Sequence, residues 1–261
     1  MTNSGADVVV MIHGLCCTGD VWRNFRGRFE AGGWRVSTPT LRPDCRVVCD
    51  PPPALTRLGL GDYASDLERE ISRIVRDTGH APALIGHSMG GLLAQMLCAR
   101  APVRAAVLLA PVPAGRSSVV VRSLWALRDL LRPASRHEPF RIGRRAAFHR
   151  LFNRATPAVR EREWKALVYE SPRVARELAV DRPQADPRAV SVPTLTIGGG
   201  KDRFVPPRVA RRVAARYAPG GGLYREYAGR GHWLLDEPGW EEVASLCVEF
   251  VSAAVAPRAE P

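Results

Sequence analysis

Apolar runs that never alternate with polar residues constrain this chain more than any other feature. Val8–Ile12, 83–86, 103–110 and 193–198 are such runs, short and rich in aliphatic side chains. A strand with one wetted face alternates, whereas a continuous run is covered on both faces, as in a parallel sheet flanked by helices. A further run over 34–41, ending near Pro43, reads as another buried strand.

Segments with helical spacing separate these strands. Over 20–29, Val21, Trp22, Phe25 and Phe29 recur at near-helical intervals before Gly32-Gly33. Over 62–78, Tyr63, Leu67, Ile71, Ile74 and Val75 share one face, and Gly79 closes the helix. A Leu- and Met-rich helix is predicted over 89–100. The chain then ends with a helix at 207–217, a short strand at 224–228 and a helix at 238–255. Alternating strands and helices predict an α/β fold with a mostly parallel central sheet flanked by helices. Over 112–190 the pattern changes to Arg-rich helical segments broken by Pro133, Pro139, Pro157, Pro172, Pro183 and Pro187, without a buried-strand run. The expected organisation is a core of 1–111 and 191–261, carrying a helical insertion at 112–190 over one edge of the sheet.

Composition excludes several classes. With 261 residues, 46% hydrophobic and 25% charged, the chain can bury a core with no disulfide or metal to hold it. Cys16, Cys17, Cys45, Cys49, Cys98 and Cys247 have neither the CxxC spacing of a zinc site nor the density of a disulfide scaffold. Cys45 and Cys49, four apart, are read as unbridged. No stretch reaches the ~20 apolar residues of a membrane span, and the first segment has no leader pattern, so a cytoplasmic protein is the expectation.

The net charge of +12 raises the question of a nucleic-acid partner. Only Lys165 and Lys201 are lysines, however, and an Arg- and Ala-rich composition is what a GC-rich coding sequence produces. No helix-turn-helix, zinc or RNA-binding motif is present, so no nucleic-acid partner is expected. Between 112 and 190 there are 17 basic against 8 acidic side chains, so any preference for an anionic group is expressed there.

Gly86-His87-Ser88-Met89-Gly90 lies between a predicted strand and a predicted helix. A nucleophile on such a turn needs strained torsions and close strand–helix approach, and residues without side chains two positions away on each side allow both. Ser88 is expected to stand exposed above the strand ends, with the N–H of Met89 at the helix N-terminus facing a developing oxyanion.

With this motif the chain resembles the α/β-hydrolase superfamily over nearly its whole length. His13-Gly14-Leu15 ends the first strand as the family's H-G motif does, which implies that Leu15 N–H is the second oxyanion donor beside Met89. His232, in Gly231-His232-Trp233-Leu234 after the last predicted strand, matches the family's catalytic histidine loop. His13, His87, His80, His137 and His149 fit the base role less well by position. Asp202, in Gly200-Lys201-Asp202-Arg203-Phe204-Val205-Pro206, resembles the family's G-x-x-D-x-x-V-P signature and implies the acid. Asp236 is the competing carboxylate, better suited to pairing with an Arg or capping the last helix. The order Ser, Asp, His is the family's order.

The resemblance implies an acyl-enzyme on Ser88 and a serine hydrolase of an ester, thioester or lactone of a small hydrophobic molecule. The alternatives are C–C bond hydrolysis or other non-ester chemistry with the same triad, and a non-hydrolytic binding or cyclisation pocket. The first two strands of a full eight-stranded member are not seen in the pattern. His13, Cys16, His87 and Trp233 are the pocket candidates; Cys16-Cys17 is read as a small apolar wall, with a sharper possibility of oxidant sensitivity. Trp125, Leu127, Leu130, Leu131, Phe140, Phe148, Leu151, Phe152 and Trp164 are available to line a cap. Arg122, Arg128, Arg132, Arg136, Arg144 and Arg145 are candidates for an anionic or carrier-bound portion of the substrate. No Gly-rich phosphate loop or metal-spaced cluster occurs, so no cofactor and no metal are expected. Oligomeric state stays open.

Overall fold

The computed structural model of the chain describes residues 7–115 and 137–256. Six strands, β1 Val8–Ile12, β2 Arg35–Ser37, β3 Ala83–His87, β4 Ala106–Leu109, β5 Thr194–Gly199 and β6 Leu223–Tyr227, form one sheet in the order β2-β1-β3-β4-β5-β6. Every pairing is parallel. The continuous apolar runs are the cause. Every residue of β1, β3, β4 and β5 is buried, so each strand needs cover on both faces.

The long helices are α1 Arg23–Ala31, α2 Leu60–Thr78, α3 Met89–Cys98, α4 Pro157–Ala166, α5 Pro172–Ala179, α6 Pro207–Tyr217 and α7 Trp240–Val255, of which α1, α3, α6 and α7 contact the strands directly. Helix α1 packs against α7, α2 against α3, and α6 against β5 and β6. Helix α2 buries Leu60, Tyr63, Ala64, Leu67, Ile71 and Ile74 along one stripe and ends at Gly79, whose positive φ of 76° suits a residue without a Cβ.

The element bounds differ from the sequence pattern where proline or helix chemistry intervenes. Strand β2 has three residues rather than the eight of the 34–41 run, because Pro39 brings no ladder N–H. Helix α1 is preceded by a 3-10 turn, Gly19–Trp22, capped by the Thr18 hydroxyl. Pro157 and Pro172 start helices instead of interrupting them: each occupies the first turn, and the Thr156 and Ser171 hydroxyls accept from the free amides. Residues 137–190 contribute no strand to the sheet. They hold Arg144–Ala146 running into Ala147–Leu151, then α4 and α5, with one antiparallel bridge between Phe140 and Glu170.

All six cysteines are free thiols. Among the described residues no helix is long and apolar enough to cross a membrane, and no group of His, Cys, Asp and Glu is placed to hold a metal.

Candidate active site

Strand β3 leads directly into Ser88, the loop after β1 folds over it, and the loops after β5 and β6 carry Asp202 and His232. Strand β3 ends at His87, and Ser88 follows with φ 56° and ψ −114°, a conformation that L residues rarely adopt. The surroundings hold it there. Ser88 N–H donates to Leu109 O at 2.9 Å, and Ser88 O accepts from Gly91 N–H and Val112 N–H, both at 3.0 Å. A Cβ on Gly86 would stand 2.2 Å from Gly90 O, and one on Gly90 would stand 2.1 Å from Ile12 O. Helix α3 therefore approaches β1 and β3 at backbone contact, which explains the paired glycines physically.

Ser88 is only 3% exposed, whereas the sequence pattern put it in the open. The loop after β1 covers it so closely that a Cβ on Gly14 would lie 3.3 Å from Ser88 Cβ. Leu15 and Met89 flank this spot, both buried. Among the described residues, no turn, loop or cap hydrogen bond uses the N–H of either.

His232 is fully buried, and its Nδ1 lies 2.7 Å from Asp202 Oδ2. The other oxygen, Oδ1, accepts from the amides of Phe204 at 2.7 Å and Val205 at 2.8 Å. A carboxylate can only accept, so the Nδ1 proton faces Asp202, and in the tautomer this contact selects the lone pair is on Nε2. That Nε2 is buried without a hydrogen-bond partner. The Phe204 ring lies 5.1 Å and the His87 ring 4.8 Å from the imidazole, both tilted to it. Asp236 sits apart from this pair; its carboxylate meets Arg162, with Arg23 at 4.0 Å.

Of the pocket candidates, His87 and His13 hold loop backbone through their rings. His87 Nε2 donates to His232 O at 2.9 Å. His13 places Nδ1 2.9 Å from Gly14 O, and its Nε2 accepts from Leu41 N–H at 3.1 Å. Burial lowers the pKa of both rings to about 3, helped by Arg46 beside His13 and His232 beside His87, so both are neutral. Trp233 is 1% exposed and stands edge-on to His87 and Phe152. Cys16 is fully buried with a left-handed φ of 58°, and burial, then Glu170, push its thiol well above the usual range.

Two carboxylates that the sequence did not single out hold the loops. Glu170, wholly buried, accepts from Tyr63 Oη (2.7 Å), Ser171 N–H (2.9 Å), Arg46 Nη1 (2.6 Å) and, at 3.4 Å, the amide of Cys16. Val168 N–H adds a bond to Cys16 O at 2.9 Å. Glu237 accepts from Gly231 N–H at 2.6 Å and Trp233 N–H at 3.1 Å. Arg46 and Glu170 are 124 residues apart, a pairing that leaves no local sequence signal.

Around the insertion, Arg144 lies 4.3 Å over the Phe148 ring and pairs with Glu161 at 2.9 Å, and Arg145 is exposed. Leu151 and Phe152 are core, while Phe140, Phe148 and Trp164 pack against it half-buried. Trp125, Leu127, Leu130, Leu131, Arg122, Arg128, Arg132 and Arg136 lie outside the described residues.

The model of the Alpha/beta hydrolase family matches residues 9–246, and the chain belongs to that family. Solved structures agree on the fold. A methylesterase from Arabidopsis superposes with a TM-score of 0.71 at 16% identity, covering 95% of this chain and 100% of its own. A thermophilic esterase from Thermogutta terrifontis gives 0.71 at 21%, covering 96% and 92%. A monoacylglycerol lipase from Paleococcus ferrophilus gives 0.69 at 19%, covering 96% of each chain. A search of the curated proteins finds no match.

Proposed function

We propose that the chain is a serine hydrolase that cleaves an ester, thioester or lactone of a small hydrophobic molecule through an acyl-enzyme on Ser88. The observation that carries this reading is the closed Asp202–His232 pair, whose outer nitrogen is buried and unpaired; Ser88 sits on a strained turn directly after His87, whose Nε2 donates to His232 O. His232 Nε2 takes the hydroxyl proton as Ser88 Oγ attacks the carbonyl carbon. The amides of Leu15 and Met89 hold the oxyanion, and the positive end of α3 favours the same charge. His232 then gives its proton to the leaving oxygen or sulfur, and the acyl group stays on Ser88. In the second half His232 deprotonates a water that attacks the acyl carbon, and the proton returns to Ser88 as the acid departs.

Asp202 keeps the imidazole in the tautomer with Nε2 free and offsets its charge once protonated. The helices of 137–190 serve as the cap that shapes the apolar pocket. The esterases and lipase that share the fold support the choice of an acyl substrate by analogy. Hydrolysis of p-nitrophenyl acetate and butyrate by wild type and Ser88→Ala tests the reading. Turnover that disappears with the hydroxyl is expected; equal rates for both proteins would overturn it.

A further inference from the structure

We propose that Glu237 is a positioning residue for this chemistry, holding the backbone on both sides of His232 so that Nε2 stays aimed at Ser88; the role rests on the serine-hydrolase reading. The Asp202 contact fixes a single ring atom. A single hydrogen bond leaves the ring free to swing with its loop, and a displacement of about 1 Å at a reacting group can cost about 10²-fold in rate. Glu237 removes that freedom. Its Oε2 accepts from Gly231 N–H and its Oε1 from Trp233 N–H, the two amides that flank His232.

The rest of the loop closes on the same point. His232 O accepts from Leu234 N–H at 3.0 Å and His87 Nε2 at 2.9 Å, and Asp236 N–H reaches Trp233 O at 3.2 Å. Glu237 is itself anchored where α7 begins, its carbonyl accepting from Trp240 N–H at 2.9 Å. The clamp also explains Gly231, since a Cβ there would stand 2.6 Å from Glu237 Oε1 and 2.4 Å from Asn153 Oδ1.

Packing alone would not select this side chain. Glu237 is 1% exposed, and among the described residues no Arg, Lys or His forms an ion pair with it. A buried carboxylate without a cation is expensive, and burial pushes its pKa up. Its compensation comes from two amides, and both belong to the histidine loop.

Full-length wild type, Glu237→Gln and Glu237→Ala are compared in p-nitrophenyl butyrate kinetics and in hydrogen exchange of the segment 229–235. In Glu237→Gln one oxygen still accepts, while an NH2 replaces the other. We expect kcat to fall about 10- to 100-fold with KM within about twofold, a larger fall in Glu237→Ala, and faster exchange confined to this loop. Wild-type kcat in folded Glu237→Gln, or exchange that rises evenly through the chain, would overturn the proposal. Turnover surviving in Ser88→Ala would instead defeat the hydrolase reading. In that case exchange still decides on the clamp, with unchanged protection of Gly231 and Trp233 in Glu237→Gln refuting it.

Discussion

Asp202 and His232 lie on loops that follow neighbouring parallel strands, β5 and β6, and their 2.7 Å contact is closed to solvent on both partners. The sheet thus sets the distance between the two loops, and the Phe204 and Val205 amides fix which Asp202 oxygen remains for the imidazole. A water-excluded pair of this kind gains strength from the low local dielectric.

Asp202→Asn should keep the fold and lose the chemistry. An amide NH2 facing Nδ1 turns the imidazole to the other tautomer, with the proton on Nε2 and no lone pair toward Ser88. We expect kcat for p-nitrophenyl butyrate to fall about 10³- to 10⁴-fold with an unchanged melting temperature. A loss under tenfold would mean that the carboxylate does not set the tautomer.

The Arg46–Glu170 pair joins the connection after β2 to the segment before α5, with both side chains at 0% exposure. Cutting one partner strands a buried charge. Glu170→Gln should destabilise by about 3–5 kcal/mol in urea denaturation, and in an Arg46→Met background the same change should cost far less. Equal penalties in the two backgrounds would show that the charges are not coupled.

Acid should weaken the fold through His13 and His87. Their folded pKa values, lowered to about 3 by burial, lie below the unfolded value of 6.5, so the unfolded chain binds the extra protons. Stability is then full above pH 6.5 and declines as pH falls toward 3, by up to about 1.4 kcal/mol per pH unit for each ring. His13→Asn, read against wild type by urea denaturation at pH 7 and pH 5, should lose less on acidification. An identical loss in both proteins would remove His13 from the account.

Thiol reactivity should follow burial. Cys49 is exposed and Cys45 half-exposed, whereas Cys16, Cys17, Cys98 and Cys247 are buried with thiols raised by desolvation. Iodoacetamide followed by peptide mapping should mark Cys49 first and leave Cys16 untouched in folded protein. Rapid alkylation of Cys16 would revive the idea of a redox-sensitive pocket wall.

The α/β order, the parallel sheet and the elbow glycines were legible because each leaves a local trace: apolar runs, helical spacing, and glycine where backbones touch. The turn at Ser88 and the pairing of Asp202 with His232 were legible through motifs beside strand ends. The burial of Ser88 was not, because it arises from Gly14 folding back over the turn. Glu170 and Glu237 were missed for a different reason. Glu170 meets an arginine, a tyrosine hydroxyl and amides, most of them brought in by tertiary folding, and Glu237 meets two amides of its own loop; neither spacing nor composition records such contacts. Pro157 and Pro172 looked like breaks because a proline at the first helical position and one between helices read alike without the capping hydroxyl in view.

The central claim, an activated nucleophile at Ser88, is tested most directly with a fluorophosphonate probe and peptide mass mapping of folded protein. The account predicts one phosphonyl group on the peptide carrying Ser88 in wild type, slower labelling in Asp202→Asn and none in Ser88→Ala. Folded wild type that stays unlabelled, or that carries the adduct on another residue, would contradict it.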